Sequence, residues 1–446
     1  MSTELLNQIY VDEMQEMVGA EIVSALDAVK KNKAEIAKLE AERAQVCPPE
    51  VKELEDKIAE ALANKKNKEA LRLRKELKKI YPSSVLAGLD FKLERARNWR
   101  LSNSVAPMMF WGPPGSAKTQ GITHAVKNLT NEKGLRVALI TTFMSAYDQV
   151  ALRGMPTIDR ENEVTVWYPQ ESFPSELNCA DYDVVVWMLD ELSAASRPVQ
   201  PVLYRLLQEG QIEGMILPKN VMMIAAGNDK DDRAIAMDMS SAMSNRMVHF
   251  DVRPSLDPWK QWAIQSGVHP MVIAYHNSNQ GQNLHNMDTS VVGMMKAFPT
   301  YRTWEKVSDD VYKYHKKPER LLDLRVIGHV GPVAGIEFNT FFKLFDQLPD
   351  PEGILDGKVE AVPKEDDIIY ATLSNLVACI LKKHTPERMD NFFKYISAVC
   401  ETRDEMGYMA INDMFRSKNN TVIQMAMKTA GWTRWASKII NMQSWS

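Results

Sequence analysis

The sequence has few of the residues that build disulfide scaffolds and metal centres. Its 446 residues include only four cysteines, Cys47, Cys179, Cys379 and Cys400, which lie far apart. They form neither a CxxC pair nor a metal-ligand cluster with any of the eight histidines. This pattern is typical of a protein in a reducing compartment.

The chain also lacks the segments that direct a protein to a membrane. No uninterrupted apolar run approaches the ~18 residues that a membrane span needs. The N-terminal residues MSTELLNQIYVDEMQEMV are acidic where a signal peptide is basic. We therefore expect a cytoplasmic protein without a membrane partner.

A basic excess is missing as well. The formal net charge is -4 and the pI is ≈ 6.1, whereas a constitutive nucleic-acid binder needs a basic face. A local basic patch is compatible with this average. With 45% hydrophobic and 25% charged residues, the chain has apolar material for two or three packed domains.

Residues 18–80 have the composition of exposed helices, because they are rich in Ala, Glu, Lys, Leu and Arg and nearly free of Gly and aromatic residues. The segment Cys47-Pro48-Pro49 interrupts them, since proline cannot continue a helix. The pattern predicts a helical hairpin with a thin apolar stripe. It favours an exposed brace packed on the protein's own assembly, and a docking site for a partner is the alternative.

From Ala106 onward, short apolar runs alternate with helical stretches, which indicates an α/β fold with a parallel sheet. The four candidate strands are Pro107–Trp111, Arg136–Thr142, Val184–Leu189 and Val221–Ala226. Ligands of open parallel sheets bind beyond the carboxyl ends of the strands, so the loops that follow should carry the chemistry. Beyond Pro254–Pro258 the chain reads as mostly helical.

The first candidate strand leads into a segment with the pattern of a phosphate-binding loop. Its residues are Gly112, Pro113, Pro114, Gly115, Ser116, Ala117, Lys118 and Thr119. Backbone N–H groups of such a loop surround phosphate oxygens, the lysine reaches the β- and γ-phosphates, and the hydroxyl ligates Mg²⁺. The alternative for this loop alone is a Gly-Pro turn before a helix. Ala117 stands where the strict pattern has glycine, and we expect little cost because alanine tolerates helical dihedrals.

The second element is a pair of acids at the end of the buried-strand run 184–189. Asp190 would hold Mg²⁺ through water, and Glu191 would polarise the attacking water. A solvated acidic turn is the alternative, but a phosphate loop some seventy residues upstream makes it less favoured. Together these elements predict an ATP and Mg²⁺ site.

Two further residues are weaker candidates on their own. Asn228 follows the strand 221–226 and would orient the lytic water, although Gly-Asn after a strand is more often a turn. Arg246 precedes the alternating segment 247–252. It is either a surface charge or an arginine finger that reaches the γ-phosphate of a neighbouring subunit.

In combination, these motifs and their order resemble a known family. Residues 90–446 resemble the MoxR-type AAA+ ATPases, a dynein-related, helix-2-insert branch, particularly the versions encoded by bacteria and phages. The matching segments include GPPGSAKT (112–119), ALRGMP (151–156), VVVWMLDELSAASRPVQPVLYRLLQEGQIEGMILP (184–218), AAGNDKDDR (225–233), SAMSNRMVHFDV (241–252) and FPTYRTWEKVS (298–308).

The resemblance implies a role for each candidate. Lys118 and Thr119 belong to Walker A, Asp190 and Glu191 to Walker B, and Asn228 to sensor 1. Arg246 is the finger, although Met247 stands where the family usually has Phe. Arg302 resembles the sensor 2 arginine of the helical lid. Thr157–Tyr168 and Gln208–Leu217 resemble two hairpins that face the pore of a ring.

The domains that follow are a helical hairpin arm (1–85), an AAA+ α/β ATPase domain (86–253), a helical lid (254–345) and a C-terminal helical extension (346–446). A finger acting in trans requires a closed head-to-tail ring, for which the family favours a homo-hexamer. The expected function is ATP-driven remodelling of a protein substrate, with a von Willebrand factor A domain protein as the family's frequent partner. A bacterial cell, or a phage protein made in one, is the expected setting.

Two other classes stay open. A DNA-directed motor is less favoured, because residues 157–168 hold Asp159, Glu161 and Glu163 against Arg160 alone. The other class is a scaffold that assembles on ATP without turnover.

Overall fold

A computed structural model describes residues 8–64, 66–80, 84–160, 163–213, 215–229, 239–287, 297–314, 319–432 and 435. These residues contain ten strands, numbered in chain order: β1 (Gln8–Ile9), β2 (Met108–Trp111), β3 (Val137–Phe143), β4 (Met155–Asp159), β5 (Val164–Tyr168), β6 (Val184–Asp190), β7 (Gln211–Ile212), β8 (Met215–Ile216), β9 (Val221–Gly227) and β10 (Val248–Val252).

The helices of the same residues, also in chain order, are α1 (Val11–Val46), α2 (Pro49–Ala63), α3 (Asn67–Ile80), α4 (Ser84–Asn98), α5 (Lys118–Lys133), α6 (Gln149–Arg153), α7 (Glu176–Cys179), α8 (Gln200–Glu209), α9 (Ser241–Ser244), α10 (Leu256–Gln265), α11 (Pro270–Ser278), α12 (Tyr301–Tyr314), α13 (Glu319–Val330), α14 (Pro332–Phe342), α15 (Pro351–Leu355), α16 (Asp366–Lys382), α17 (Pro386–Val399), α18 (Asp404–Arg416) and α19 (Asn420–Met427).

Six strands form one parallel sheet in the order β1-β10-β2-β9-β6-β3. The predicted α/β fold class is therefore confirmed, and each of the four predicted strands lies within a residue of an observed one. Strand β6 is buried along its whole length. Its alternate residues enter two different hydrophobic cores, one on each face, which explains why its sequence is continuously apolar.

The N-terminal part is helical, and a turn separates α1 from α2 at the predicted Cys47–Pro49 position. It differs from a two-helix arm in two ways. A third helix, α3, follows α2 and packs back on it. The first half of α1 also packs on α5. Its residues Met14, Val18 and Ile22 are buried in the hydrophobic core that contains Val184, Val186 and Met188 of β6.

Strand β1 lies directly before α1 and pairs with β10 at the sheet edge. Contacts thus cross the boundary predicted at residue 85, and apolar residues between 9 and 29 form part of the hydrophobic core on one face of the sheet.

Two antiparallel hairpins leave the α/β unit, at or near residues 157–168 and 208–217. In the first, β4 pairs with β5 and Met155 lies opposite Tyr168. In the second, β7 pairs with β8. The first hairpin exposes most of its apolar side chains to solvent.

Helices α10 to α14 follow the sheet, and α15 to α19 continue from them. Helix α11 packs along α16, so the two groups of helices share an interface. A buried ion pair joins Lys260 of α10 to Asp413 of α18 at 2.8 Å. Among the described residues, no helix is both long and apolar enough to cross a membrane.

Candidate nucleotide site

The segment 112–117 connects β2 to α5 at the carboxyl edge of the sheet. Gly112 and Gly115 both have positive φ, at 151° and 79°. A Cβ on Gly112 would lie 2.5 Å from the Val252 carbonyl oxygen, and one on Gly115 would lie 2.7 Å from Cβ of Thr300. Glycine is therefore required at both positions, by conformation and by close approach.

Ala117 corrects a sequence prediction. It is the N-cap of α5 and has φ 66° and ψ 21°, which is the left-handed region and not the expected helical one. This conformation costs an L-residue with a side chain about 1–2 kcal/mol. The strict pattern has glycine at this position because glycine avoids that cost, so the substitution to alanine is not neutral.

Lys118 lies under the loop and is only 8% exposed. Its ammonium donates to the carbonyl oxygens of Gly112 at 2.6 Å and Pro113 at 3.0 Å. It also lies 3.3 Å from the hydroxyl of Ser116, a fully buried residue. The carbonyls hold a positive charge next to the N-terminus of α5, whose dipole also favours anions.

Asp190 ends β6 and is 7% exposed. One of its carboxylate oxygens accepts a hydrogen bond from the Thr119 hydroxyl at 2.8 Å, and the other accepts from the Glu191 backbone N–H at 2.9 Å. The hydroxyl and the carboxylate are both hard oxygen ligands, and Mg²⁺ prefers such ligands while keeping several of its waters. The pair therefore fits a magnesium ion.

Glu191 is exposed and has left-handed backbone dihedrals, with φ 54° and ψ 33°. Backbone strain of this kind is concentrated at functional sites. The hydroxyl of Ser145 donates to Oε2 of Glu191. The two adjacent acids thus contact different partners, as their different predicted roles require.

Asn228 follows β9 and is half-buried. Its Oδ1 accepts from the ammonium of Lys118 at 3.2 Å, and its backbone N–H donates to Oγ of Ser193 at 3.0 Å. Three predicted elements, the phosphate loop, Asp190 and Asn228, therefore meet at one edge of the sheet.

Arg246 makes its contacts away from the phosphate loop, on helix α8. Its guanidinium stacks over the ring of Tyr204 at 3.8 Å and donates to Oε1 of Gln208 at 3.0 Å, both on α8. These contacts hold the cation on the outer side of α8 within its own chain. Arg302 is exposed in the first turn of α12. Neither arginine is hydrogen-bonded to the phosphate loop in the described part of the chain.

The helices after the sheet cover the loop from one side. Thr300, which precedes α12, lies against Gly115, and Nε2 of His285 is 3.0 Å from the Pro114 carbonyl oxygen. Burial lowers the pKa of His285, which keeps the ring neutral with an Nε2–H free to donate to that carbonyl. A cavity of about 1230 Å³ begins at Ala117 and Thr119 and runs between α1, α5, α10 and α12.

Sequence reasoning missed four residues that contact the site. Ser145 and Ser193 follow strands at the carboxyl edge, so the rule that strand-end loops carry the chemistry could have found them. Thr300 and His285 lie in the mostly helical part of the chain, more than 160 residues after the phosphate loop. No local sequence pattern identifies them as site residues.

Several solved structures are similar to this chain. NtrX from Brucella abortus is 14% identical, over 78% of this chain and 76% of that one, with a TM-score of 0.29. Two variants of RuvB from Thermotoga maritima are 15% and 14% identical, each over 64% of this chain and over 80% and 79% of their own, with TM-scores of 0.29 and 0.27. No protein-family model matches the sequence, and no curated protein matches it. Because these likenesses are weak, a functional assignment rests on the residues of the site.

Proposed function

We propose that this chain is a P-loop ATPase of the AAA+ type that hydrolyses ATP to ADP and phosphate. One observation carries the proposal: the Lys118 ammonium, the Thr119–Asp190 pair and Asn228 meet at the carboxyl ends of adjacent parallel strands. A turn or a solvated acidic pair would have no reason to converge in this way. The strand order, with β2 between β10 and β9, also places the loop centrally in the sheet.

Each residue has a role that its position supports. Lys118 offsets the charge of the β- and γ-phosphates, and the backbone N–H groups of 112–119 surround them. Glu191 accepts a proton from the attacking water, and Asn228 orients that water. Thr119 and Asp190 hold Mg²⁺, which supplies charge neutralisation on the phosphate oxygens when bound. The adjoining cavity offers room for the nucleoside.

The proposed assembly is a head-to-tail ring, in which Arg246 completes the site of a neighbouring copy. Its position supports this, since the guanidinium lies on the outer side of α8 and is held in place by Tyr204 and Gln208. Arg302 contacts nucleotide from the first turn of α12, as the sensor 2 position of a lid does. The MoxR resemblance favours six subunits.

The proposed work of the ring is remodelling of a protein, with a von Willebrand factor A domain protein as one partner. The hairpin β4–β5 supports a protein substrate, because Met155, Ile158 and Tyr168 are 69%, 72% and 60% exposed. Exposed apolar patches mark protein-interaction sites. The acids Asp159 and Glu163 on the same hairpin are unfavourable for DNA.

Two measurements test the proposal. Replacing Lys118 with Ala removes the ammonium at the phosphate site, so calorimetric titration should show ATP affinity lower by at least roughly tenfold. Unchanged affinity would mean that 112–119 does not bind phosphate. Phosphate release by the purified wild-type protein, absent in Lys118→Ala, tests hydrolysis itself, and no release in assembled protein would favour a scaffold.

A further inference from the structure

The helix α3 and the loop before it are far more basic than the rest of the chain. Residues 64–80, NKKNKEALRLRKELKKI, contain eight basic and two acidic residues. The whole chain has a formal net charge of -4, so the remaining residues are acidic on average. Positive charge is thus concentrated in one short stretch.

The structure shows how α3 presents this charge. Its apolar face, with Ala70 at 2% exposure, packs on α2. Apart from α2, no element of the described chain packs extensively on α3. Arg72, Arg74 and Lys75 are exposed on the remaining faces, and the Arg72 side chain is 80% exposed.

Local acids do not neutralise this surface. Glu69 lies 3.6 Å from Lys66 and Glu76 lies 3.9 Å from Arg72, and both pairs are solvent-exposed. Exposed pairs of this kind contribute between zero and about 1 kcal/mol. Helix α2, on which α3 packs, carries five acidic and two basic residues, so residues 49–80 together keep a net charge of +3.

The residue types on this surface point to a polyanion and not to a protein partner. Protein interfaces are enriched in aromatic residues, Met and Arg and depleted in Lys. Residues 64–80 contain no aromatic residue and no Met, and their exposed large apolar residue among those described is Leu71. Interfaces with nucleic acid are much more positively charged than those between proteins.

The length of the helix also suits a phosphate backbone. Fourteen residues at a rise of about 1.5 Å cover about 21 Å. One strand of a duplex carries a phosphate about every 3.4 Å along its axis, so this length faces about six phosphates.

We propose that α3 binds the phosphate backbone of nucleic acid without sequence preference. This surface is separate from the proposed ATP site, because α3 packs on α2 and makes no extensive contact with the elements that carry 112–119, Asp190 or Asn228. In an ATP-driven ring, this arm would hold the assembly near nucleic acid while the hairpin β4–β5 acts on a protein.

Fluorescence anisotropy with a labelled duplex of about 30 base pairs, and with single-stranded DNA of equal length, tests the proposal on the full chain. At about 50 mM salt the wild-type protein should bind with a dissociation constant no weaker than about 100 µM, and binding should weaken steeply with salt. The combined Arg72→Glu, Arg74→Glu and Lys75→Glu variant should lose at least about tenfold in affinity. Its slope of log affinity against log salt should shrink by at least about 2.7.

A matched control changes the net charge equally at exposed helical positions elsewhere on the arm. Lys31→Glu, Lys33→Glu and Lys38→Glu on α1 serve this purpose, since all three are exposed and Lys38 pairs with Glu42 at 3.8 Å, much as Arg72 pairs with Glu76. This variant should bind within about threefold of wild type. Circular dichroism and ATPase activity of both variants should match wild type, which separates lost binding from lost folding.

Three results would overturn the proposal. The first is absence of wild-type binding to both DNAs at low salt. The second is equal loss of affinity in the two triple variants. The third is a change of ring mass in the α3 variant without a change in DNA binding, which would assign α3 to a contact between copies of this chain.

Discussion

Ala117 offers a sharp test of the structure of the phosphate loop. It holds φ 66° at the N-terminus of α5, and this conformation costs an L-residue about 1–2 kcal/mol. Glycine removes that cost but loses more chain entropy on folding, by about 0.4–1 kcal/mol. Ala117→Gly should therefore stabilise the protein by about 0.5–1 kcal/mol. For a chain of 446 residues, whose entropy of unfolding is about 0.9 kcal/mol per kelvin, the midpoint of a thermal denaturation scan without nucleotide should rise by about 0.5–1 °C.

The C-terminal end of α5 allows the opposite substitution, from glycine to alanine, in a similar backbone conformation. Gly134 caps α5 with φ 62° and ψ 24°, and no heavy atom lies within 4 Å of an added Cβ. Gly134→Ala should therefore lower the midpoint by a similar amount, through backbone conformation alone. Gly88 is exposed within α4 and also has open space around it, so Gly88→Ala should stabilise by about 0.5–1 kcal/mol through entropy alone.

The three variants together test whether Ala117 has the left-handed conformation. If Gly134→Ala and Gly88→Ala behave as expected while Ala117→Gly lowers the midpoint or leaves it unchanged, then Ala117 is not in the left-handed region in solution. The described geometry of the loop would then be wrong at this residue.

Three further outcomes are expected. Arg246→Ala should hydrolyse ATP poorly in an ATPase assay. Mixing this variant with Lys118→Ala in one ring should restore part of the activity. Near-normal turnover of Arg246→Ala alone would exclude Arg246 as an arginine finger. Ser145→Ala removes the hydroxyl that donates to Glu191, so kcat should fall by about tenfold while ATP affinity stays within about twofold, and unchanged kcat would assign Ser145 no part in orienting Glu191. Burial lowers the pKa of His276 from 6.5 to about 3. On acidification the unfolded state therefore binds a proton at this histidine before the folded state does. The free energy of unfolding should fall as the pH drops below about 6.5, by up to about 1.4 kcal/mol per pH unit. Urea titrations at about pH 7.5 and pH 5 should show a smaller loss for His276→Phe than for wild type, and equal losses would contradict this cause.

The inner strands β2, β6 and β9 could be predicted from sequence because they are buried on both faces. Their side chains must then be apolar throughout, as in the run 184–189, and such runs stand out from the surrounding helices. The phosphate loop and Asp190 could be predicted for a related reason. Both follow directly from strands, so their order along the chain fixes their meeting place.

The role of the N-terminal residues was harder to predict. Strand β1 has two residues, too few for a recognisable pattern, and pairs with β10 about 240 residues away. The stripe Val11, Met14, Val18 and Ile22 has helical spacing and is buried. This stripe was visible in the sequence, but the charged residues that follow it suggested an exposed helix.

Other features depend on the folded chain and could not be predicted locally. The left-handed conformation of Ala117 arises from the loop as a whole and contradicts the preference of alanine for helical dihedrals. The contact of Thr300 with Gly115 joins residues 185 positions apart. The roles of Arg246 and Arg302 stay predictions, since a finger acts on a second copy and a sensor acts on bound nucleotide.

Glu191 is proposed to activate water at an ATP site formed by residues 112–119 and Asp190, and one substitution tests this role directly. Glu191→Gln keeps the size of the side chain but removes the carboxylate that accepts the proton. ATP affinity, from calorimetry, and the rate of phosphate release should be measured on the same preparations of wild type and variant. ATP affinity should stay within about threefold of wild type, and the rate of phosphate release should fall by roughly 10²-fold or more. Wild-type turnover by the variant would contradict the assignment of Glu191 as the residue that activates water.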